Sequence, residues 1–270
     1  MDSAPAQVVA TLMDEGSYLA SESTMYRILA SQGEVRERRR QLTHPKYARP
    51  ELLAIAPNEV WSWDITKLLG PVKWSYYYLY SIMDIYSRYE VGWMIAERET
   101  GLLAERLISE TILKQGITRD QLTLQADRGA PMTSKQVAHL LADLGVTKSH
   151  SRPYTSTDNP YSEAQFKTLK YRPQFPGRFD SIDQARAFCQ EFFRWYNLEH
   201  RHSGIGMMTP HAMHHGLAEG IHNERAIVLD AVYQQHPERF VNRPPIPPTL
   251  PTAAWINKPK EQPPPDHTAQ

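Results

Sequence analysis

The sequence predicts an α/β fold, a mixed five-stranded sheet flanked by helices, and three observations predict it. Three stretches rich in β-branched and aromatic residues come first: Val60 to Thr66, Tyr76 to Ile85 and Tyr89 to Ala96. The last two are separated only by a short polar link at Ser87-Arg88, so antiparallel pairing is expected. Helical and strand patterns then alternate, which gives the order βββαβαβα and a sheet covered by helices.

The elements follow in order. Residues 6 to 14 and 22 to 31 read as two short helices around Gly16, with Ser21 or Ser23 placed to cap the second. This segment, 1–31, has the look of a partial helix-turn-helix, and a plain helical hairpin fits the same residues equally well. Residues 32–56 are charged, contain Pro45 and Pro50, and read as a basic linker. The catalytic core is expected over 57–216. After its three strands, Leu102, Leu103, Leu107, Ile108 and Ile112 recur at helical spacing until Gly116. Leu122 to Ala126 is a short strand ending at Asp127; Ser134 to Leu144 is an apolar-faced helix ended by Gly145; Val146 to Ser149 supplies the fifth strand. Asn159 can cap a further helix with Pro160 at its first position. Phe188, Phe192, Phe193, Trp195 and Tyr196 mark the buried face of a helix from Ser181 to His200. Residues 217–242 hold one more helix, at 218 to 235. The tail, 243–270, carries nine prolines and is expected to be extended or disordered.

Composition limits the function classes. The single Cys189 excludes a disulfide framework and a Cys-rich zinc site. No apolar run approaches the roughly 18 residues of a membrane span, and no signal-peptide pattern opens the chain, so a cytoplasmic protein without a membrane partner is expected. Formal net charge is zero. That average hides two basic stretches: Glu34 to Arg49 has six Lys/Arg against two acids, including Arg38, Arg39 and Arg40, and Lys148 to Arg178 again has six against two. A charge run is more often a solvated face than a binding site, so these stretches matter only beside a site that handles phosphate.

Such a site is suggested by three acids in distinct local patterns. Asp64 stands in WSWDIT, Asp127 in LQADRG and Glu163 in DNPYSEAQFKTLK, with 35 residues between the last two. Carboxylates converging from separate segments can cage divalent metal ions, and paired metals drive phosphoryl transfer. Asp64 lies inside the first strand and Asp127 just past the fourth, so neighbouring strands would bring them together, with Glu163 in the first turn of a helix packed across them. On that helix Glu163, Lys167 and Lys170 share a face, which suits metal plus DNA phosphate.

These blocks resemble the integrase-core transposases of bacterial insertion sequences, in particular the catalytic product of elements that encode the enzyme in two overlapping frames. PNEVWSWDITKL, YYYLYSIMDIYSRYEVGW, ADRGAPMTSKQVAHLLADLGVTKSHSRPYTSTDNPYSEAQFKTLK and FFRWYNLEHRHSGIGMMTPHAMHHG carry the resemblance, over residues 10 to 216. It implies a ribonuclease-H-like fold, the D,D(35)E triad Asp64, Asp127 and Glu163, and two Mg2+ ions, with Mn2+ able to substitute. It further implies 3′-end cleavage and strand transfer on DNA, a copy-out route through a circular intermediate, and a homo-oligomer on DNA. An upstream-frame protein or fusion would supply end recognition. One position departs from the pattern: many relatives have a His two residues before the second Asp, and here Gln125 cannot titrate near neutral pH.

Other constellations point to chemistry less well. His200, His202, His211, His214 and His215 lack a patterned carboxylate or Cys partner for zinc. Asp84, at a strand end before a turn, suits structural hydrogen bonding. Trp61, Trp63, Trp74 and Tyr76 to Tyr78 read as alternating strand core and surface in preference to base stacking. Two further function classes remain open: a ribonuclease-H-type nuclease, and a catalytically inactive DNA-binding regulator of transposition.

Overall fold

A computed structural model of the protein describes residues 4–33, 49–127, 129–152, 155, 158–241 and 243–259. The chain divides into two compact units, Met1–Tyr47 and Ala48–Gln270. The first holds helices α1 (Pro5–Asp14) and α2 (Glu22–Ser31). Pro5 sits at the start of α1, where its missing N–H costs nothing, and Gly16 turns the chain at φ +79°. Of the two serines considered as caps for α2, Ser21 is the cap, its side chain accepting from the Thr24 N–H.

The second unit is built on a five-stranded sheet: β2 (Val60–Leu69), β3 (Tyr76–Asp84), β4 (Glu90–Ala96), β5 (Thr123–Ala126) and β6 (Thr147–His150), in the spatial order β4-β3-β2-β5-β6. The first three are antiparallel neighbours, whereas β5 and β6 run parallel to β2 through helical crossovers. A mixed five-stranded sheet is what the sequence predicts, and the ribonuclease-H-like fold is what the resemblance implies. β2 runs on to Leu69 because its ladder with β3 continues out to Tyr76.

Both faces of the sheet are covered. Trp61, Trp63, Tyr80 and Ile82 pack with Leu107 and Ile108 of α3 (Gly101–Gln115) and with Val137 and Leu141 of α4 (Lys135–Asp143). On the opposite face Leu68, Leu79, Met83 and Ile95 meet Phe166 and Leu169 of α5 (Pro160–Lys170). The same cluster takes in Cys189, Phe192, Phe193 and Tyr196 of α6 (Ile182–Leu198). Local signals bound these helices: Thr100, Ser134 and Ser181 cap α3, α4 and α6 through their side chains, and Gly116 stops α3 at φ +63°. Beyond α6 come α7 (Pro210–His214) and α8 (Ala218–Gln235), the latter burying only Ala218.

The termini of the second unit correct the sequence reading. Within the segment read as a basic linker, Leu52–Ala54 forms strand β1, and within the tail read as extended or disordered, Ala254–Ile256 forms β7, antiparallel to it. Ala54, Ala254 and Ile256 are buried against Val60 and Ile85. The prolines stand outside the three paired residues, so none removes a ladder donor, and burial of Ile256 supplies the apolar gain that composition alone does not reveal. Among the described residues no helix is long and apolar enough to cross a membrane.

Candidate active site

The parallel ladder of β2 with β5 sets the site. Trp63 lies opposite Ala126, so the next residue on each strand, Asp64 and Asp127, leaves the paired region at the same level. β5 ends there while β2 continues to Leu69. Ser62, Asp64 and Thr66 alternate onto one face of β2. Helix α5 is tied to that face on both sides of Asp64. At one end the Ser62 hydroxyl donates to Asn159 Oδ1 and lies 2.6 Å from the Ser162 hydroxyl; at the other, Lys170 Nζ donates to Thr66 Oγ1 at 2.7 Å. Glu163, in the first turn of α5, lies between the two ties.

Asp64 feels the charge of both other acids. Asp64 is pushed up to about 7, first by burial, then by the charge of Asp127 and also by that of Glu163; the Ile65 N–H and the Lys170 ammonium oppose the shift. The carboxyls are not closed on a common point. Asp64 Oδ1 accepts from the Ile65 N–H at 2.7 Å and Asp127 Oδ1 accepts from the Ser151 hydroxyl at 2.6 Å. Among the described residues no three His, Cys, Asp or Glu side chains are gathered tightly enough to hold an ion. Mutual repulsion of like charges favours this spread arrangement. The donor set itself, three half-buried carboxyls offering only oxygen, has the chemistry a hard divalent cation requires.

Of the proposed DNA-contacting residues, Lys170 stands beside Thr66 and Asp64, and Lys167 is exposed on the same helix. Arg38, Arg39 and Arg40 lie outside the described residues. Asn159 occupies the cap position of α5, but its side chain makes no cap hydrogen bond, because Oδ1 is taken by Ser62 and Nδ2 faces the Trp63 carbonyl at 3.5 Å. Gln125 is fully buried in β5. Its amide donates to Ser151 Oγ at 3.2 Å and to the Asp158 carbonyl at 3.3 Å. Since Ser151 donates to Asp127, an uncharged side chain at position 125 still reaches the second carboxylate through one hydroxyl.

The remaining constellations are structural. Asp84 is fully buried and accepts from the Asn58 N–H, the Ser87 N–H and the Ser87 hydroxyl, at 2.7, 2.7 and 2.6 Å, closing the turn after β3. His214 stacks on Tyr89 with centroids 4.6 Å apart, and His200 packs on Trp195 at 4.6 Å. Trp61 and Trp63 belong to the core, whereas Trp74 at the β2–β3 turn is 76% exposed. Sequence reasoning did not single out Ser62, Thr66 or Ser151 as supports for the acids. For the first two, the polar-apolar alternation of SWDIT around Asp64 was the available signal.

Comparison with known proteins bears on this geometry. The family described as Integrase core domain matches residues 54–156, and a second family of the same description matches 144–210, so that together they run through most of the second unit and over half the chain. The chain is 30% identical over 176 residues to the transposase for insertion sequence element IS904 of Lactococcus lactis, covering 63% of this chain and 66% of that protein. It is 23% identical over 168 residues to the putative transposase InsK for insertion sequence element IS150 of Escherichia coli, covering 62% and 58%. Thus the match spans somewhat under two thirds of these relatives' length. Among solved structures, the HTLV-2 integrase catalytic core domain in complex with magnesium is 17% identical with a TM-score of 0.43, over 60% of this chain and 99% of that one. With its family matches covering the β2, β5 and α5 segments that carry Asp64, Asp127 and Glu163, the chain belongs to the integrase core family, alongside transposases of insertion sequences.

Proposed function

We propose that this protein is a DNA transposase that cleaves the 3′ ends of an insertion sequence and joins them to new DNA. The observation that supports the reading is the register that leaves Asp64 and Asp127 next to each other beyond paired residues of β2 and β5, with Glu163 in the first turn of the helix tied to β2 on either side of Asp64. Asp64, Asp127 and Glu163 would hold two divalent ions, Mg2+ or Mn2+, which when bound would activate the attacking oxygen and stabilise the departing one. Asp64, whose carboxyl feels both other acids, would hold metal charge together with each of them. Burial favours the protonated carboxyl of Asp64, and metal charge would draw that proton off.

Lys170 would hold a DNA phosphate beside the acids, with Lys167 one turn away along the same helix. Water would serve as the first nucleophile and the freed 3′-hydroxyl as the second, so no covalent protein intermediate is needed. The protein would act in the cytoplasm as a homo-oligomer on DNA, with end recognition aided by the product of an upstream frame. Incubating the chain with labelled element ends, target DNA and magnesium tests the reading. Joined products are expected. Nicks alone would favour a ribonuclease-H-type nuclease, and binding without reaction would favour an inactive regulator.

A further inference from the structure

The first turn of α5 is held by the distant C-terminal end of the chain. The Tyr161 hydroxyl, two residues before Glu163, donates to the Trp255 carbonyl at 2.8 Å. Asn257 Nδ2 donates to Asp158 Oδ1 at 2.8 Å and to the Pro50 carbonyl at 2.9 Å. Asp158, fully buried, also accepts from the Arg152 backbone N–H and from its guanidinium Nε, both at 2.9 Å. One amide therefore joins the entry of α5 to the start of β1.

The C-terminal segment that makes these bonds is itself fixed. β7 pairs with β1, and Ile256 is fully buried in the small core with Val60 and Ile85. Asn257 turns out of β7 at φ +58°, a left-handed conformation that Asn tolerates better than most residues. From the other side, the Arg88 guanidinium lies 4.0 Å above the Tyr161 ring. Such restraint has a reason: α5 lacks a side-chain cap, so the turn that carries Glu163 is not fixed by its own sequence.

We propose that β7 and Asn257 form a strap that sets the position of Glu163, with Tyr161, Asp158 and Asn257 as positioning residues. The proposal rests on the transposase reading for what Glu163 does, but not for how it is held. A ligand on a loosened turn must be ordered again when it binds metal, at a cost in affinity, which gives a remote strap its leverage. Tyr161 and Asn257 act through α5 and need touch neither metal nor DNA.

The test uses the full chain with Tyr161→Phe, which deletes one hydrogen bond and keeps the ring, with Asn257→Ala, which deletes two, and with Asn257→Asp, which sets a second carboxylate against Asp158. Amide hydrogen exchange is followed without metal, Mn2+ binding by calorimetry, and end cleavage across a Mn2+ series. Exchange in residues 161–167 should quicken while β2 and β3 stay protected. Mn2+ affinity should fall by about threefold to tenfold for each hydrogen bond removed, most in Asn257→Asp, with cleavage at saturating Mn2+ within about twofold of wild type. Unchanged exchange and unchanged Mn2+ affinity would overturn the strap, as would losses that appear only with loss of protection across the whole sheet. If the wild type cleaves no DNA, the transposase reading fails, and exchange with Mn2+ affinity still decides the strap.

Discussion

Asp64 occupies a position where ionisation is costly, and its neighbours make it more so: burial, Asp127 and Glu163 all raise its pKa, to about 7. A site assembled for a cation has this character. The acids were legible in the sequence because each stands in its own pattern. Their supports were not, because Ser62, Thr66 and Ser151 gain meaning only from distance. Gln125 shows the limit best. Its missing charge removes titration, yet its amide still reaches Asp127 by way of Ser151.

Glu90 gives a residue-scale prediction away from the site. It is buried between Ser81 and Gln165, the Ser81 hydroxyl donating at 2.8 Å and the Gln165 amide at 2.7 Å, and burial pushes it up to about 8 despite those bonds. The folded state therefore holds a proton that the unfolded chain releases near pH 4.5. Its contribution to stability is present below that pH and is lost as pH rises through about 8. Glu90→Gln should flatten this fall, by on the order of 1–3 kcal/mol between pH 5 and pH 8.5 in denaturant titrations. Parallel wild-type and variant curves across that range would show that Glu90 is not protonated in the fold.

At the scale of elements, the pair β2–α5 governs the site, since two ties on either side of Asp64 fix the angle of the helix. Ser62→Ala removes the donor to Asn159 and the contact with Ser162. The buried Asn159 oxygen would then lose that donor, and unfolding free energy should drop by about 1–3 kcal/mol. An unchanged denaturation midpoint would mean that the Ser62 tie contributes nothing to holding α5. The long elements were readable because composition and punctuation agree in them: Gly116 and Gly145 follow their helices, and runs of aromatic and aliphatic residues mark β3 and β4. β1 and β7 were not readable. Each has three residues, and their pairing joins Leu52 to Ile256 across almost the whole chain, beyond the reach of any local pattern.

Across the whole molecule, neutral net charge does not argue against a nucleic-acid partner, because an average over the chain says nothing of a local placement such as that of Lys170 beside Asp64. Replacing Lys167 or Lys170 with Ala should weaken binding to element-end DNA and reduce the slope of log affinity against log salt by about 1 for each phosphate no longer neutralised. If affinity and slope are unchanged in both variants, these lysines are solvated surface. The composition of the tail suggested disorder for the same reason that it missed the strap: nine prolines describe the segment as a whole, whereas three residues between them decide its place in the fold.

Single-turnover cleavage of a labelled element end in magnesium by Asp64→Asn, Asp127→Asn and Glu163→Gln tests most directly whether the three carboxylates act as one metal-holding site. Each amide keeps shape and removes the charge that holds a divalent ion. Each variant should retain the wild-type fold and DNA binding and lose cleavage by about a thousandfold or more. A variant that folds normally and cleaves at a near-native rate in magnesium would contradict the account, because its carboxylate could not then be a ligand for the ions that drive the reaction.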